Sequence, residues 1–452
     1  MDTPGSTARR TLTEPARELP VIAEPDVLVV GGGPAGLAAA CAAARAGART
    51  LLVEHYGFLG GTLTMVTLGG FCGIHAVVDD ERLGRVSGGL CVELEERLAA
   101  CDAIRPPKRH GRIVGVPYDS VRLRRVADEM IAAHGAHANF HTNAAAVQVD
   151  GARVHAVIVE NKGGRAAIVP RVVVDASGDA DVAARAGARC AIGDAGHTQY
   201  GSAMFRFGGV DTARVATLSR ADIRELLERA VADGHPLPRT ATGVHLNPID
   251  GVVHLNVTKL GDANGDPFVL VDPAQLDEAE RVGRRQVALY EEVFRRYVPG
   301  FERARVIDIG ARVGVRETRL VRGDTLLTEA QVRACEKPAD RIACSSWPLE
   351  NHGRGRGTQW DFLPDGQWYG IPVGCLVVEG FENLLVAGRN LSAEHAAQAS
   401  VRVAGPCLAM GEAAGTLAAM SVAHAGRVRA VGVDALQARL AAHGAILTPD
   451  FG

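Results

Sequence analysis

Residues 27–54 read VLVVGGGPAGLAAACAAARAGARTLLVE, and their order decides the fold. Val27 to Val30 is an apolar, β-branched run, glycines follow it, and an alanine-rich stretch reaches Ala46 before Gly47 stops it. Thr50 to Val53 repeats the strand pattern and ends on Glu54, which completes a β-α-β unit. Within that unit Gly31-x-Gly33-x-x-Gly36 lies directly after a strand and opens a helix, the context that makes a glycine match a dinucleotide fingerprint. Gly31 makes the tight turn, Gly33 lets backbone approach a pyrophosphate, and Gly36 lets the helix lie close to the sheet. Pro34 and Ala35 fall in the first helical turn, where a missing N–H costs little and the remaining N–H groups face the anion. Glu54 is placed to accept hydrogen bonds from ribose hydroxyls.

Outward from this unit, Val121, Val126, Met130 and Ile131 recur at helical spacing, which predicts a helix over about 118–134. Extended segments at 144–149, 153–160 and 165–169, with Asp150-Gly151 and Gly163-Gly164 at the turns, read as a small antiparallel insert. Val172-Val173-Val174-Asp175 reads as a buried strand. From about 190 to 360 the pattern is mixed, with an amphipathic helix over 273–297 and strands at 252–257 and 305–309. Dinucleotide-domain character returns at ENLLVAGRN (382–390) and in a Gly/Ala-rich helix over about 405–420. The expected organisation is a flexible lead-in (1–24), a cofactor-binding domain in two parts (25–190 and 361–425), a substrate or cap domain between them (191–360), and a helical tail (426–452). The fold class is α/β, a Rossmann-like binding domain interrupted by a mixed α+β domain.

A chain of 452 residues has room for two large domains at about 100 to 200 residues each. Its 49 basic and 52 acidic residues leave a net charge of -3, which gives no electrostatic footprint for nucleic acid or an anionic membrane. The longest apolar run, about 27–44, is broken by Gly31-Gly32-Gly33-Pro34 and Gly36, and no apolar segment follows Arg9-Arg10, so neither a membrane span nor a secretion signal is expected. The nine cysteines include no C-x-x-C, so no metal or iron-sulfur ligand set is readable, and an odd number of thiols is expected to stay reduced in the cytoplasm. The oligomeric state is left open, a homo-oligomer included.

Four separated segments carry a resemblance: residues 27–64 (ending HYGFLGGTLT), VVVDASGDADVAARAG (172–187), GVRETRLVRGD (314–324) and ENLLVAGRNLSAEHAAQASVRVAGPCLAMGEAAGTLAA (382–419). Together, over roughly 25–425, they resemble the FAD-dependent oxidoreductase family related to the succinate dehydrogenase, fumarate reductase and glutathione reductase flavoproteins. The resemblance implies a glutathione-reductase type of binding domain with FAD as cofactor. It places Glu54 on the ribose, Gly60-Gly61 past the pyrophosphate, Ala176, Ser177 and Gly178 near the adenosine side, and Gly388-Arg389-Asn390 over the pyrophosphate and ribityl chain. Independently, Gly405-Pro406 reads as a helix start whose N–H groups could face the flavin pyrimidine edge, with a close-packed Gly/Ala helix as the alternative. Neither His55 nor His75 stands at a spacing that matches covalent attachment, so noncovalent FAD is expected.

Flavin carries the hydride chemistry, which leaves the protein to supply a substrate anchor and an acid or base. In Arg316-Glu317-Thr318-Arg319 a paired arginine fork would suit a substrate carboxylate or another anion; an ion-paired cluster joining two domains is the alternative. His352, in WPLENHGRGRG, could shuttle a proton or be an exposed loop histidine. His395 lies close in sequence to Asn390 and is the histidine expected nearest the cofactor; Arg402 could contact flavin or substrate, and helix packing is the alternative for both. Cys72, in GGFCGIH, has no partner spacing and reads as a structural cysteine. The expected function is an FAD-dependent dehydrogenase or oxidase that transfers a hydride between a small organic substrate and flavin N5. A flavin monooxygenase reduced by NAD(P)H and an electron-transfer subunit of a larger complex are the alternatives. With one G-x-G-x-x-G, a dedicated NAD(P)H domain is missing.

Overall fold

Five short strands form a parallel sheet in the order Leu384–Val386, Val172–Asp175, Val27–Val30, Thr50–Val53, His137–Asn139. The computed structural model describes residues 11–353 and 357–451; Met1 to Arg10 of the expected lead-in, Arg354 to Arg356 and Gly452 lie outside them. The middle strands are buried along their whole length, as apolar runs in a sheet covered on both faces must be. Alternation sorts their side chains into two layers. Val27, Val29, Leu52, Val172 and Val174 face the helices Pro34–Arg45, Ser120–His134 and Ala404–Val422. Leu28, Val30, Leu51, Val53 and Val173 face an antiparallel sheet of Asn143–Asp150, Arg153–Asn161 and Gly164–Ile168.

That antiparallel sheet is the insert expected from its turn residues. Val21–Ala23 extends it by pairing in parallel with Gly164–Ile168, so the segment expected as a flexible lead-in ends in a strand. The helix Ala404–Val422 is mostly apolar and runs through the interior, its buried Glu412 paired with Arg45 at 2.6 Å, and it lies on Pro34–Arg45 with backbone against backbone. A Cβ on Gly411 would meet the carbonyl oxygen of Ala35 at 2.1 Å, and one on Gly415 that of Ala39 at 2.1 Å. Among the described residues no single helix is long and apolar enough to cross a membrane; His395–Val401 with Ala404–Val422 passes that test as a pair, bent by 93°.

A second core has its own antiparallel sheet, ordered Val244–Leu246, Val253–Leu255, Phe205–Gly208, Arg305–Ile309. The helix Pro273–Tyr297 covers it, started by Pro273 and by the Asp272 carboxylate, which accepts from the Gln275 N–H. Phe207, Phe294 and Phe301 meet there with ring centroids 5.0 to 6.0 Å apart. This core ends near Val315, whereas Leu327, Ile342, Ala343 and Leu349 belong to the first. The change of core therefore does not coincide with the boundary expected at residue 360. Strand Arg341–Ser345 pairs with Tyr369–Pro372 and rests on Ala404–Val422, which draws this stretch back to the first core.

Gly415→Val forces the two central helices apart, and overpacking of this kind costs about 1–3 kcal/mol or more. The expected result is a lower denaturant midpoint with unchanged far-UV circular dichroism; an unchanged midpoint would show that the contact yields without cost.

Candidate functional site

One cavity of about 1300 Å³ runs between the two cores, larger than the ~300–1,000 Å³ of a typical small-molecule site. Gly31, Gly33, Pro34, Ala35, Glu54, Gly61, Ala176, Ser177, Gly178, Gly388 and Arg389 line it, and so do Arg316, His352 and Arg402. Gly31 holds φ +99°, and a Cβ there would sit 2.6 Å from the Ala176 carbonyl oxygen. A Cβ on Gly36 would be 1.7 Å from the Gly31 oxygen, so Gly36 supports the turn from beneath rather than lining the cavity. On Gly33 a Cβ would find nothing nearer than Gly61 Cα at 3.9 Å. Bare backbone at the start of a helix of 12 residues, with no acidic side chain in its first turn, thus faces the cavity. Free N–H groups and the positive dipole end suit a pyrophosphate, so these residues fit the cofactor that the sequence implies.

Glu54 is placed to complete that fit. Its Oε2 accepts the Gly32 N–H at 2.6 Å, and its Oε1 accepts from the Tyr56 N–H at 2.9 Å beside His55 Nδ1 at 2.8 Å. Desolvation works against its charge, but His55 and the two N–H groups outweigh it and keep the carboxyl below its ordinary value. A carboxylate has about four acceptor sites, so Oε2 retains capacity for a hydroxyl. Gly60 binds backbone to backbone (its N–H to the Gly32 oxygen, 2.8 Å) and stands behind Gly61.

The turn Ala176–Gly178 is held by Asp175, which accepts from Ser177 N–H and Oγ at 3.1 and 2.6 Å and from the Val182 and Ala183 N–H groups at 2.9 Å each. Asp179 next to it ties the cores together. Arg389 Nη2 lies 2.7 Å from Asp179 Oδ1, Thr318 Oγ1 donates to the same oxygen at 2.8 Å, and Arg312 Nη2 is 3.4 Å from Oδ2. Desolvation would raise the Asp179 pKa, but Arg389 and Arg312 outweigh it and hold it at about 2. Arg389 therefore reaches the cavity wall already paired. Asn390 is buried behind that wall, its Nδ2 donating to the Asp175 carbonyl at 3.1 Å.

Arg316 and Arg319 do not make one fork. Arg319 donates to the Asp179 carbonyl at 3.0 Å, whereas Arg316 turns to the Tyr200 carbonyl and to Asn256 Oδ1, the latter at 3.1 Å. Both line the cavity, and Arg316 meets Arg239, Arg402, Glu350 and His352 there. Glu350 Oε1 lies 2.9 Å from His352 Nε2, and its Oε2 lies 3.2 Å from Trp347 Nε1 and 3.7 Å from Arg402 Nη2. His352 is buried, not an exposed loop histidine. Desolvation, then repulsion from Arg316, pushes it down to about 3 despite Glu350, so the ring is neutral at pH 7. Its partners assign the proton to Nε2, which donates to Glu350 and leaves Nδ1 an acceptor 3.3 Å from Thr358 Oγ1.

His395 does not line the cavity; its Nδ1 sits 2.8 Å from Glu317 Oε2, and that carboxylate raises its pKa. Gly405 and Pro406 are outside the lining, although Val403, Ala404 and Cys407 around them are in it; a Cβ on Gly405 would be 2.2 Å from the Gly73 carbonyl oxygen. Cys72 lines the cavity as a protonated thiol, pushed up to about 12 by desolvation.

Sequence reasoning missed Asp179, Arg312, Arg239 and Glu350. Glu350 stands two residues before His352, a spacing that could have been weighed; Arg239 carries no motif. It also missed a row of histidines on the cavity wall. His245 and His254 pair across two strands with ring centroids 5.7 Å apart, and His110 lies 6.2 Å from His245. Desolvation pushes His110 down to about 4 and His245 to about 3, and His254 well below the ordinary range, so this wall is polar but uncharged.

Two outcomes follow from these charges. Asp179→Asn leaves Arg389 and Arg312 buried without their counter-charge, which costs about 3–5 kcal/mol, read as a fall in thermal stability. The lowered histidines make the unfolded chain bind more protons than the folded one below a free imidazole's value of about 6.5. Stability is therefore expected to fall as pH drops from about 6.5 towards 4, and His245→Gln to make that fall shallower. Melting temperatures measured against pH at fixed ionic strength check this; a flat profile from pH 7 to 4 would contradict it.

The model of the FAD dependent oxidoreductase family matches residues 26–440. No curated protein matches the chain. Among solved structures it is similar to a geranylgeranyl bacteriochlorophyll reductase-like protein from Thermoplasma acidophilum (TM-score 0.48, 13% identity, 93% of this chain and 83% of that one). Others are CabE, an aromatic hydroxylase from angucycline biosynthesis (0.47, 14%, 92% and 65%), and p-nitrophenol 4-monooxygenase from Pseudomonas putida (0.43, 13%, 92% and 84%). With the match running from the residue before the first strand of the parallel sheet to the last helix, the chain belongs to the FAD dependent oxidoreductase family.

Proposed function

We propose that this FAD-dependent oxidoreductase is a dehydrogenase or oxidase, with FAD bound noncovalently and a small organic substrate held beside it. The observation that carries the reading is the continuity of the cavity, which joins the glycine turn at Gly31–Gly36 to Arg239, Arg316, His352 and Arg402 without a second nucleotide fingerprint. Gly31, Gly33, Pro34, Ala35, Glu54, Gly61, Ala176, Ser177, Gly178, Gly388 and Arg389 would hold the cofactor. FAD, when bound, supplies a hydride acceptor at N5.

The chain's own residues supply the rest. Arg316 and Arg402 anchor and orient the substrate. His352 offers Nδ1 to the substrate's proton, and Glu350 on Nε2 stabilises the imidazolium that would form. His395 acts through Glu317, whose Oε2 also accepts the Gln199 N–H at 3.0 Å, and so positions the Arg316 segment. Trp347 and Trp360, both on the cavity wall, keep water from the reacting groups.

The visible spectrum of the purified protein, before and after anaerobic NADH or NADPH, tests this. Flavin bands that persist with nicotinamide and bleach with an organic substrate are expected; rapid bleaching by NAD(P)H would favour the reductase and monooxygenase readings. Acid precipitation is expected to leave the yellow colour in solution, and a yellow pellet would overturn noncovalent binding.

A further inference from the structure

Arg239, Arg316 and Arg402 reach the same cavity from three parts of the chain: the loop after the helix Arg220–Ala232, the segment that leaves the second core, and the end of the helix His395–Val401. Their partners are mostly neutral. Arg316 donates to the Tyr200 carbonyl and Asn256 Oδ1; Arg239 donates to the Asn256 carbonyl at 3.4 Å and to Thr358 Oγ1 at 2.8 Å. Arg402 donates to Gln199 Oε1 at 3.3 Å and has Glu350 at 3.7 Å. Among the described residues no carboxylate is ion-paired with Arg239 or Arg316.

The nearby carboxylates are already engaged. Glu350 is shared with His352 and Trp347, and Glu317 is held by His395 and the Gln199 N–H. Arg220, which is exposed, adds a further cation to the lining. Guanidinium groups withdrawn from water need a counter-charge, and each still has N–H donors to spare. Desolvation lowers the pKa of all three against the pull of Glu350, and Arg316, which Arg402 and Arg239 also repel, lies well below its ordinary value. Apolar side chains stand in the same lining, Leu68, Val315, Trp347 and Trp360 among them.

Building on the proposed oxidoreductase site, we infer that the substrate is a small organic carboxylate, its carboxylate seated on Arg239, Arg316 and Arg402 and its carbon skeleton against the apolar wall. A guanidinium fork meets a planar carboxylate with two parallel hydrogen bonds. The unpaired charge on Arg239 and Arg316 selects against neutral and cationic molecules of the same shape.

The holoprotein tests this by isothermal titration calorimetry and by flavin difference spectra with acetate, benzoate, phenylacetate and succinate. Acetamide, benzamide, phenylacetamide and succinamide serve as neutral counterparts, and inorganic phosphate as a different anion. At least one carboxylate is expected to bind about tenfold or more tightly than its amide, and Arg316→Gln to remove that preference while flavin content stays unchanged. If Arg316→Gln does not fold, the carboxylate and amide comparison on the natural chain still decides. Equal or absent binding by every pair overturns the inference, and so does phosphate binding more tightly than all the carboxylates. A protein that takes up no FAD shows no flavin bands and brings down the proposed function instead, so the two failures are distinguishable.

Discussion

Contact between backbones with no side chain between them is the constraint on which this structure rests. The helix Pro34–Arg45 is pressed on three sides at glycines: Gly36 against the Gly31 carbonyl, Gly61 against Gly33, and Gly411 and Gly415 against Ala35 and Ala39. Each contact removes the space that a methyl group needs, so shape holds the helix start in place together with the hydrogen bonds of the turn, Gly32 N–H to Glu54 at 2.6 Å and Gly60 N–H to the Gly32 oxygen at 2.8 Å. That placement aims its free N–H groups at the cavity. The sheet behind needs only apolar, β-branched strands to match, and Val27–Val30, Thr50–Val53 and Val172–Asp175 are such strands.

The second constraint is charge, arranged differently on different walls of the cavity. Near the glycine turn, Asp179 neutralises Arg389 and Arg312 and joins the first core to the segment leaving the second. Along the strands of the second core, His245 and His254 are stripped of charge by desolvation. Around Arg316 the balance runs the other way, with guanidiniums in excess. Backbone N–H groups at the helix start would serve the negative pyrophosphate of the cofactor, which would leave the arginines of the second group to answer a different anion.

The first core was legible because its signals are local. The strand, glycine turn, helix and terminal Glu54 sit within one stretch, and the helix Pro273–Tyr297 announces itself by spacing. The candidate site was legible only in part. Gly31, Gly33 and Glu54 belong to that stretch, and Arg316, His352 and Arg402 were chosen for residue type beside recognisable segments. What sequence could not supply was partnership across long separations. Arg316 and Arg319 are three residues apart yet turn to different walls, and His395, close in sequence to Asn390, spends its ring on Glu317. Gly405 and Pro406, expected at the cofactor, stand just outside a lining that Ala404 and Cys407 of the same helix start join, and the bare Cα of Gly405 leaves room for the Gly73 carbonyl.

The low basicity of His352 has a cause that a bound ligand can change. After desolvation, the repulsion of Arg316 is what most disfavours the imidazolium, and Glu350 only partly opposes it. A carboxylate settled on Arg316 would cancel much of that repulsion while leaving Glu350 in place. His352 would then become a stronger base when the substrate is present than when the cavity holds only water. Substrate binding and readiness to accept its proton would be coupled through one guanidinium, with no movement of the backbone required. The same arrangement discriminates between ligands, because a neutral molecule of equal shape would leave Arg316 unanswered and His352 as poor a base as before.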